Sequence, residues 1–111
     1  MEIMNSYLHQ SLANGRWNTF SLAEQLGNVG SEVSRTALAQ GKDDERFWGA
    51  VARALELFDL TLFDTRWKKR QPEIARAREL FCDAVLGGAE YGTSLASLQP
   101  YFDTFALAAR K

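Results

Sequence analysis

The chain has 111 residues, a length that suits one domain spanning 1–111. Its formal net charge of −1 argues against binding nucleic acid or acidic lipid over the whole surface. No apolar run approaches the roughly 20 residues that span a bilayer, and the first ten residues, MEIMNSYLHQ, lack the basic and apolar regions of a signal peptide. The single Cys82 allows no internal disulfide, so we expect a cytoplasmic protein.

Helical periodicity runs through the first half of the chain. A short helix is predicted over 2–13. Ser21 and Glu24 have the spacing of a capping box, which predicts the start of a long helix that ends at Gly41. The apolar face of that helix comprises Leu22, Leu26, Val29, Val33 and Ala37.

Two further long helices follow. Asp43 or Asp44 is the expected cap of the second helix, which extends to about Phe63. Pro72 is expected in the first turn of the third. The apolar faces of these helices comprise Phe47, Val51, Ala54, Phe58 and Leu62, followed by Ile74, Ala77, Phe81 and Val85.

The end of the chain is predicted to contain a loop, a turn and a last helix. Gly87 and Gly88 end the third helix, and Pro100 is expected to split the final segment into a turn and a terminal helix. No segment shows the alternating pattern of a strand. The fold class predicted is therefore all-α, an antiparallel up-down bundle of about four helices.

Small residues form a stripe along the long helix. At 100° per residue, Ala23, Gly27, Gly30 and Ser34 lie together beside the Leu/Val face. We call them the small-residue ridge, and expect another helix to approach closely there. An ordinary crossing within the bundle is the favoured interpretation, and a dimer interface is the alternative.

The same helix carries a polar stripe of Glu24, Asn28 and Glu32, with Gln25 beside it. With Glu56 and Asp59 of the next helix, this stripe could bind a metal. A solvated polar face is the favoured interpretation, because charged outer faces are normal on helices.

A resemblance bears on this stripe. The all-α nucleotide pyrophosphohydrolases carry a Glu-Glu-x-x-Glu helix followed by a Glu-x-x-Asp helix, and EQLGN (Glu24 to Asn28) and ELFD (Glu56 to Asp59) are similar in order and spacing. The resemblance implies a magnesium site formed by Glu24, Glu56 and Asp59. The family pattern has acids where Gln25 and Asn28 stand, so the implied carboxylate site is degenerate.

One basic residue is predicted to be buried. Arg78 falls between Ile74 and Phe81 on the apolar face of the third helix. Because an unpaired buried charge is very costly, we predict a buried or half-buried ion pair with Asp59, with Glu32 as the second candidate partner.

A basic patch follows the second helix. It consists of Arg66, Trp67, Lys68, Lys69 and Arg70. Basic side chains beside an aromatic ring are typical of single-stranded nucleic-acid binding. The favoured interpretation is that the charges complement the preceding helix C-terminus.

The sequence gives little support for a zinc site or for a reactive cysteine. His9 is the only histidine, so no zinc cluster of histidines and cysteines is expected. Cys82 is interpreted as an inert structural thiol near the core edge.

The whole chain resembles a family of small prokaryotic helical-bundle proteins, through NSYLHQSLANGRWNTFSLAEQLGNVGSEVSR, RALELFDLTLFDTRW and YFDTFALAARK. That resemblance implies no particular activity. A looser likeness to HEPN and ribosomal-RNA intervening-sequence four-helix bundles implies oligomers with RNA or protein partners. The HEPN nuclease motif places an arginine before a histidine, and no arginine precedes His9. The function predicted is a non-enzymatic helical interaction protein, a homo-oligomer with a dimer favoured. The alternative is a divergent magnesium-dependent pyrophosphohydrolase.

Overall fold

The computed structural model describes residues 15–110, which form four α-helices and no strand. No helix in this range is long and apolar enough to cross a membrane. The all-α prediction is confirmed, while the predicted helix over 2–13 and His9 lie outside the described residues. The helices are α1 (Leu22–Ala39), α2 (Asp44–Leu62), α3 (Gln71–Val85) and α4 (Leu95–Ala109), with 3-10 segments at Arg16–Thr19 and Thr65–Arg70.

The predicted starts of the first three helices are confirmed. Ser21 Oγ accepts the Glu24 N–H at 3.1 Å, and Glu24 Oε1 accepts the Ser21 N–H at 2.8 Å. Asp43 caps α2 by accepting the Arg46 N–H at 3.1 Å. Pro72 lies in the first turn of α3, where no helical hydrogen bond requires its missing N–H.

The prediction that Pro100 splits the last segment is wrong, because α4 is continuous from Leu95 to Ala109. Ser94 caps this helix by accepting the Ser97 N–H at 3.1 Å. Pro100 removes one N–H from the helix, but Leu98 and Phe102 on either side of it are buried in the core. The packing of these two side chains in the core therefore stabilises a continuous helix, although the local sequence predicts a turn followed by a helix.

Helix α1 lies at the centre of the bundle, with its most extensive contacts to α2 and α4. Phe102 of α4 meets Gly30 of α1, and Ala106 meets Gly27, so the two helices run antiparallel. The ring of Phe58 on α2 lies 5.8 Å from Phe81 on α3 and 5.9 Å from Phe102, measured between centroids. The largest fully buried apolar side chains are Trp17, Leu26, Phe58, Ile74, Phe81 and Phe102.

One buried carboxylate organises the loop between α3 and α4. Asp83 accepts the N–H groups of Glu90 at 2.9 Å, Tyr91 at 3.2 Å and Thr93 at 3.1 Å. Burial alone would raise the pKa of Asp83, but these donors and the Thr93 side chain outweigh it and hold the pKa below its ordinary value. The loop that leads into α4 is thus fixed by an ionised side chain.

Candidate functional site

A buried polar cluster lies beside the first turns of α1. Gln25 is fully buried; its Nε2 donates to the Trp17 carbonyl and to Asp64 Oδ2, both at 2.9 Å. Its Oε1 accepts from Trp67 Nε1 at 2.9 Å, and Trp17 Nε1 donates to Thr61 Oγ1 at 3.2 Å. We call Trp17, Gln25, Thr61, Asp64 and Trp67 the Gln25 cluster. Its amide and indole groups are all satisfied within the protein, which indicates a structural role.

Arg66 extends this cluster to the surface. Its Nε donates to Asp64 Oδ1 at 3.0 Å, and its Nη2 donates to Asp64 Oδ2 at 2.7 Å and to the Phe20 carbonyl at 2.6 Å. The guanidinium carbon lies 4.4 Å from the centre of the Trp67 ring. The Arg66 hydrogen bonds lower the pKa of Asp64, burial opposes them, and the Gln25 hydrogen bond adds to the lowering. Arg66 and Trp67 are therefore committed to contacts within the fold.

The rest of the basic patch lies on the 3-10 segment Thr65–Arg70 and is exposed. Arg70 Nη2 donates to Glu73 Oε1 at 2.6 Å. Lys68 and Lys69 are left as the solvent-facing charges of the patch. The basic patch therefore divides into Arg66 and Trp67, which contact the Gln25 cluster, and a more exposed group of Lys68, Lys69 and Arg70.

The polar stripe of α1 does not lie on one solvated face. Glu24 is used in the capping box, and Asn28 Nδ2 donates to the Glu24 carbonyl at 2.7 Å. The solvated interpretation is wrong for Gln25 and Glu32, which are both buried. Gln25 is enclosed by Trp17, Asp64 and Trp67, and Glu32 contacts Arg53 of α2. Within residues 15–110, no group of three or more His, Cys, Asp or Glu side chains comes together that could hold a metal ion.

The pair of Asp59 and Arg78 joins α2 to α3. Arg78 Nε donates to Asp59 Oδ1 at 3.0 Å, and the side chains keep 34% and 46% of their surface exposed for Arg78 and Asp59 respectively. Glu32, the other candidate partner, is held by Arg35 at 2.6 Å and by Arg53 at 3.0 Å. The half-exposed pair fits an interhelical contact at the edge of the core.

The small-residue ridge is covered by the chain's own α4. A Cβ on Gly30 would lie 2.5 Å from Phe102 Cβ, and one on Gly27 would lie 3.2 Å from Ala106 Cα. Gln99 Nε2 also donates to the Gly30 carbonyl at 3.3 Å. The two glycines give α4 the room to approach α1, so this part of the ridge is not an open surface.

The opposite side of α4 carries exposed residues of which only Asp103 is charged. At 100° per residue, the buried Leu98 and Phe102 define its inner side. Leu107 on the other side is 59% exposed, and Asp103 is the helix's only charged residue. We define the outer α4 face as the exposed residues Ala96, Ser97, Pro100, Thr104, Leu107 and Ala108.

The outer α4 face was not predicted from the sequence, although the composition of the helix indicates it. Residues 95–109 read LASLQPYFDTFALAA, with one charge in fifteen positions. An exposed helix normally carries charged residues on its outer side. The expected break at Pro100 hid this property because it divided the segment in two.

No protein-family model matches the chain, and the comparisons with curated proteins and with solved structures give no significant match.

Proposed function

We propose that this chain is a non-enzymatic helical interaction protein that forms a homodimer through the outer α4 face. The observation that carries the proposal is an exposed helix face without charged side chains. Charged residues are depleted at the cores of protein interfaces. Asp103 lies at the edge of the face, where its Oδ1 accepts from Gln99 Nε2 at 3.0 Å.

The sizes of the side chains along this face suit an antiparallel pair of α4 helices. Ala96 and Ser97 lie near the start of the helix, and Leu107 lies near its end. A two-fold axis near the middle of α4 would place the Leu107 of each copy against the small residues of the other. Such an interface uses the same surface twice, as two-fold dimers do.

The absence of charge favours a second copy over an oppositely charged partner. Two identical faces of this kind meet with like-charge repulsion only between their Asp103 side chains, which lie at the edge. The fifteen residues of α4 extend about 22 Å, and a standard interface buries about 800 Å² on each partner. The half-buried Tyr101 and Phe105, which flank the outer α4 face, would supply part of that area.

The test is a charge placed at Leu107, the largest apolar side chain of the outer α4 face. We expect Leu107→Glu to weaken dimerisation at least tenfold in sedimentation equilibrium, because a buried, unpaired carboxylate is costly. Leu86→Glu is the matched control, since Leu86 is 74% exposed at the end of α3. We expect the control to dimerise like the original chain and both variants to keep its helical circular dichroism.

Two results would reject this dimer. One is a Leu107→Glu variant that associates as strongly as the control. The other is a monomeric chain whose unfolding temperature falls with Leu107→Glu, which would place another part of the same chain on this face.

Nucleic-acid association through the basic patch stays a prediction. The exposure of Lys68 and Lys69 supports it, and the internal contacts of Arg66 and Trp67 do not. Salt-dependent RNA binding that is lost on neutralising Lys68, Lys69 and Arg70 would support it. Absence of binding at low salt would remove it.

The pyrophosphohydrolase alternative draws less support from the geometry. Glu24 caps α1, Asp59 binds Arg78, and Gln25 is enclosed in its cluster. Its test is magnesium-dependent release of pyrophosphate from nucleoside triphosphates. Activity that is unchanged in Glu56→Ala would reject the implied site.

A further inference from the structure

A basic groove lies at the opposite end of α2 from the basic patch. It opens between the last turns of α1 and the first half of α2, with a volume of about 390 Å³. Its four basic side chains come from two helices and their connection. They are Arg35, Lys42, Arg46 and Arg53.

A buried carboxylate fixes two of these cations. The Glu32 side chain is only 4% exposed; its Oε1 accepts from Arg35 Nη1 at 2.6 Å and its Oε2 from Arg53 Nε at 3.0 Å. A guanidinium has five N–H donors in a rigid plane. Each arginine therefore keeps most of its donors for another acceptor, while Glu32 holds both groups beside the groove.

Among the side chains that line the basic groove or hold its arginines, positive charge exceeds negative charge. The four basic side chains face Asp43, which lines the groove, and Glu32, which lies behind it. This leaves an excess of two positive charges. Arg46 reaches Asp43 only at 3.4 Å and is 85% exposed, and Lys42 forms no ion pair with any residue in 15–110.

The rest of the basic groove is apolar. Leu38 and Ala39 line it from the last turn of α1, and Leu38 is 70% exposed. A volume of this size lies within the range of small-molecule sites, which combine apolar walls with a few fixed polar groups. A fitting ligand thus has an anionic end for the arginines and an apolar or planar part for Leu38.

We propose that the basic groove binds a phosphate-bearing ligand, with its phosphate on Arg35 and Arg53 and its apolar part over Leu38. Arginine suits this role because its planar donors match phosphate oxygens in pairs. Lys42 and Arg46 add charge at the rim. A free nucleotide and the backbone of a single-stranded nucleic acid share this chemistry, and the site is independent of the outer α4 face.

The experiment titrates the full chain with adenosine monophosphate, adenosine and a single-stranded oligonucleotide without terminal phosphates, using isothermal calorimetry. Arg35→Gln and Arg53→Gln each remove one guanidinium. Lys42→Gln is the variant that leaves the Glu32 contacts intact, so it keeps the test valid if an arginine variant unfolds. The control is Arg76→Gln, which removes an exposed charge on α3, a helix that does not line the basic groove.

We expect the arginine variants to lose at least tenfold in affinity, Lys42→Gln to lose a few-fold, and the control to match the original chain. Binding of adenosine monophosphate but not adenosine identifies a free nucleotide as the source of the phosphate. Binding of the oligonucleotide alone, with the same losses, identifies a nucleic-acid backbone. The proposal is overturned if none of the three probes binds, or if the groove variants bind as well as the control.

Discussion

At the scale of single residues, Gln25 is the side chain on which the fold depends most clearly. Gln25→Ala would leave the Trp17 carbonyl, Asp64 and the Trp67 indole without their amide partner. Because each unsatisfied buried group costs about 1–3 kcal/mol, we expect a loss of about 3 kcal/mol in the free energy of unfolding. Urea denaturation measures the change.

The control is another amide on α1. Asn28 is exposed and donates only to the carbonyl of its own helix, so we expect Asn28→Ala to stay within about 0.5 kcal/mol of the original chain. Equal losses in the two variants would show that the buried hydrogen bonds of Gln25 contribute nothing specific.

Asp83 gives the chain a defined response to acid. Its pKa is lowered in the folded state, so at pH values near and below its ordinary pKa the unfolded chain binds more protons than the folded one. The stability that Asp83 supplies is therefore present above the ordinary pKa of about 3.8 and is lost as pH falls through the lower folded value.

We expect Asp83→Asn to be less stable than the original chain at pH 7, with the difference shrinking below pH 4 as Asp83 is protonated. Urea denaturation of both proteins across this pH range measures the effect. A difference that is constant with pH would contradict an ionised Asp83 as the anchor of the loop.

The Gln25 cluster also shows what local sequence leaves open. Helical spacing places Gln25 beside the exposed Glu24 and Asn28, and its amide partners Asp64 and Trp67 are about forty residues away in the chain. Helical periodicity does not predict which residues from distant parts of the chain will pack over a side chain and bury it. The buried state of Glu32, whose partner Arg53 is on the next helix, was missed for the same reason.

At the scale of elements, the glycines of α1 set its distance to α4. Gly30→Ala would place a methyl group 2.5 Å from Phe102 Cβ, an atom fixed close to its own backbone. Alanine favours a helix over glycine by about 1 kcal/mol, but overpacking costs about 1–3 kcal/mol. We expect Gly30→Ala to lower the unfolding temperature in calorimetry.

Gly49 is the matched control in the middle of α2. A Cβ there would lie 3.5 Å from Arg53 Nη1, which is ordinary contact. We expect Gly49→Ala to raise the unfolding temperature through helix propensity alone. Stabilisation by both substitutions would contradict a close approach of α4 at Gly30.

The starts of helices are predicted well from the sequence when they depend only on neighbouring residues. The capping box at Ser21, the Asp43 cap and the proline at the start of α3 need only a few neighbouring residues. Pro100 shows the limit of that information. Its effect on α4 depends on the burial of Leu98 and Phe102, which the rest of the bundle determines.

At the scale of the whole molecule, the apolar periodicity of the long helices specifies an all-α bundle, and the structure confirms it. Helical periodicity could not predict which helices pack against each other, because the apolar face of any amphipathic helix can pack against that of any other. The central position of α1 follows from two contact sides, one for α2 and one for α4. That arrangement leaves the outer α4 face exposed.

The most direct test of the proposed homodimer is the mass of the original chain in solution. Sedimentation equilibrium over a wide concentration range should give twice the chain mass of 12.5 kDa, with Leu107→Glu moving toward the single-chain mass at matched concentration. A mass of one chain at every concentration would contradict the homodimer.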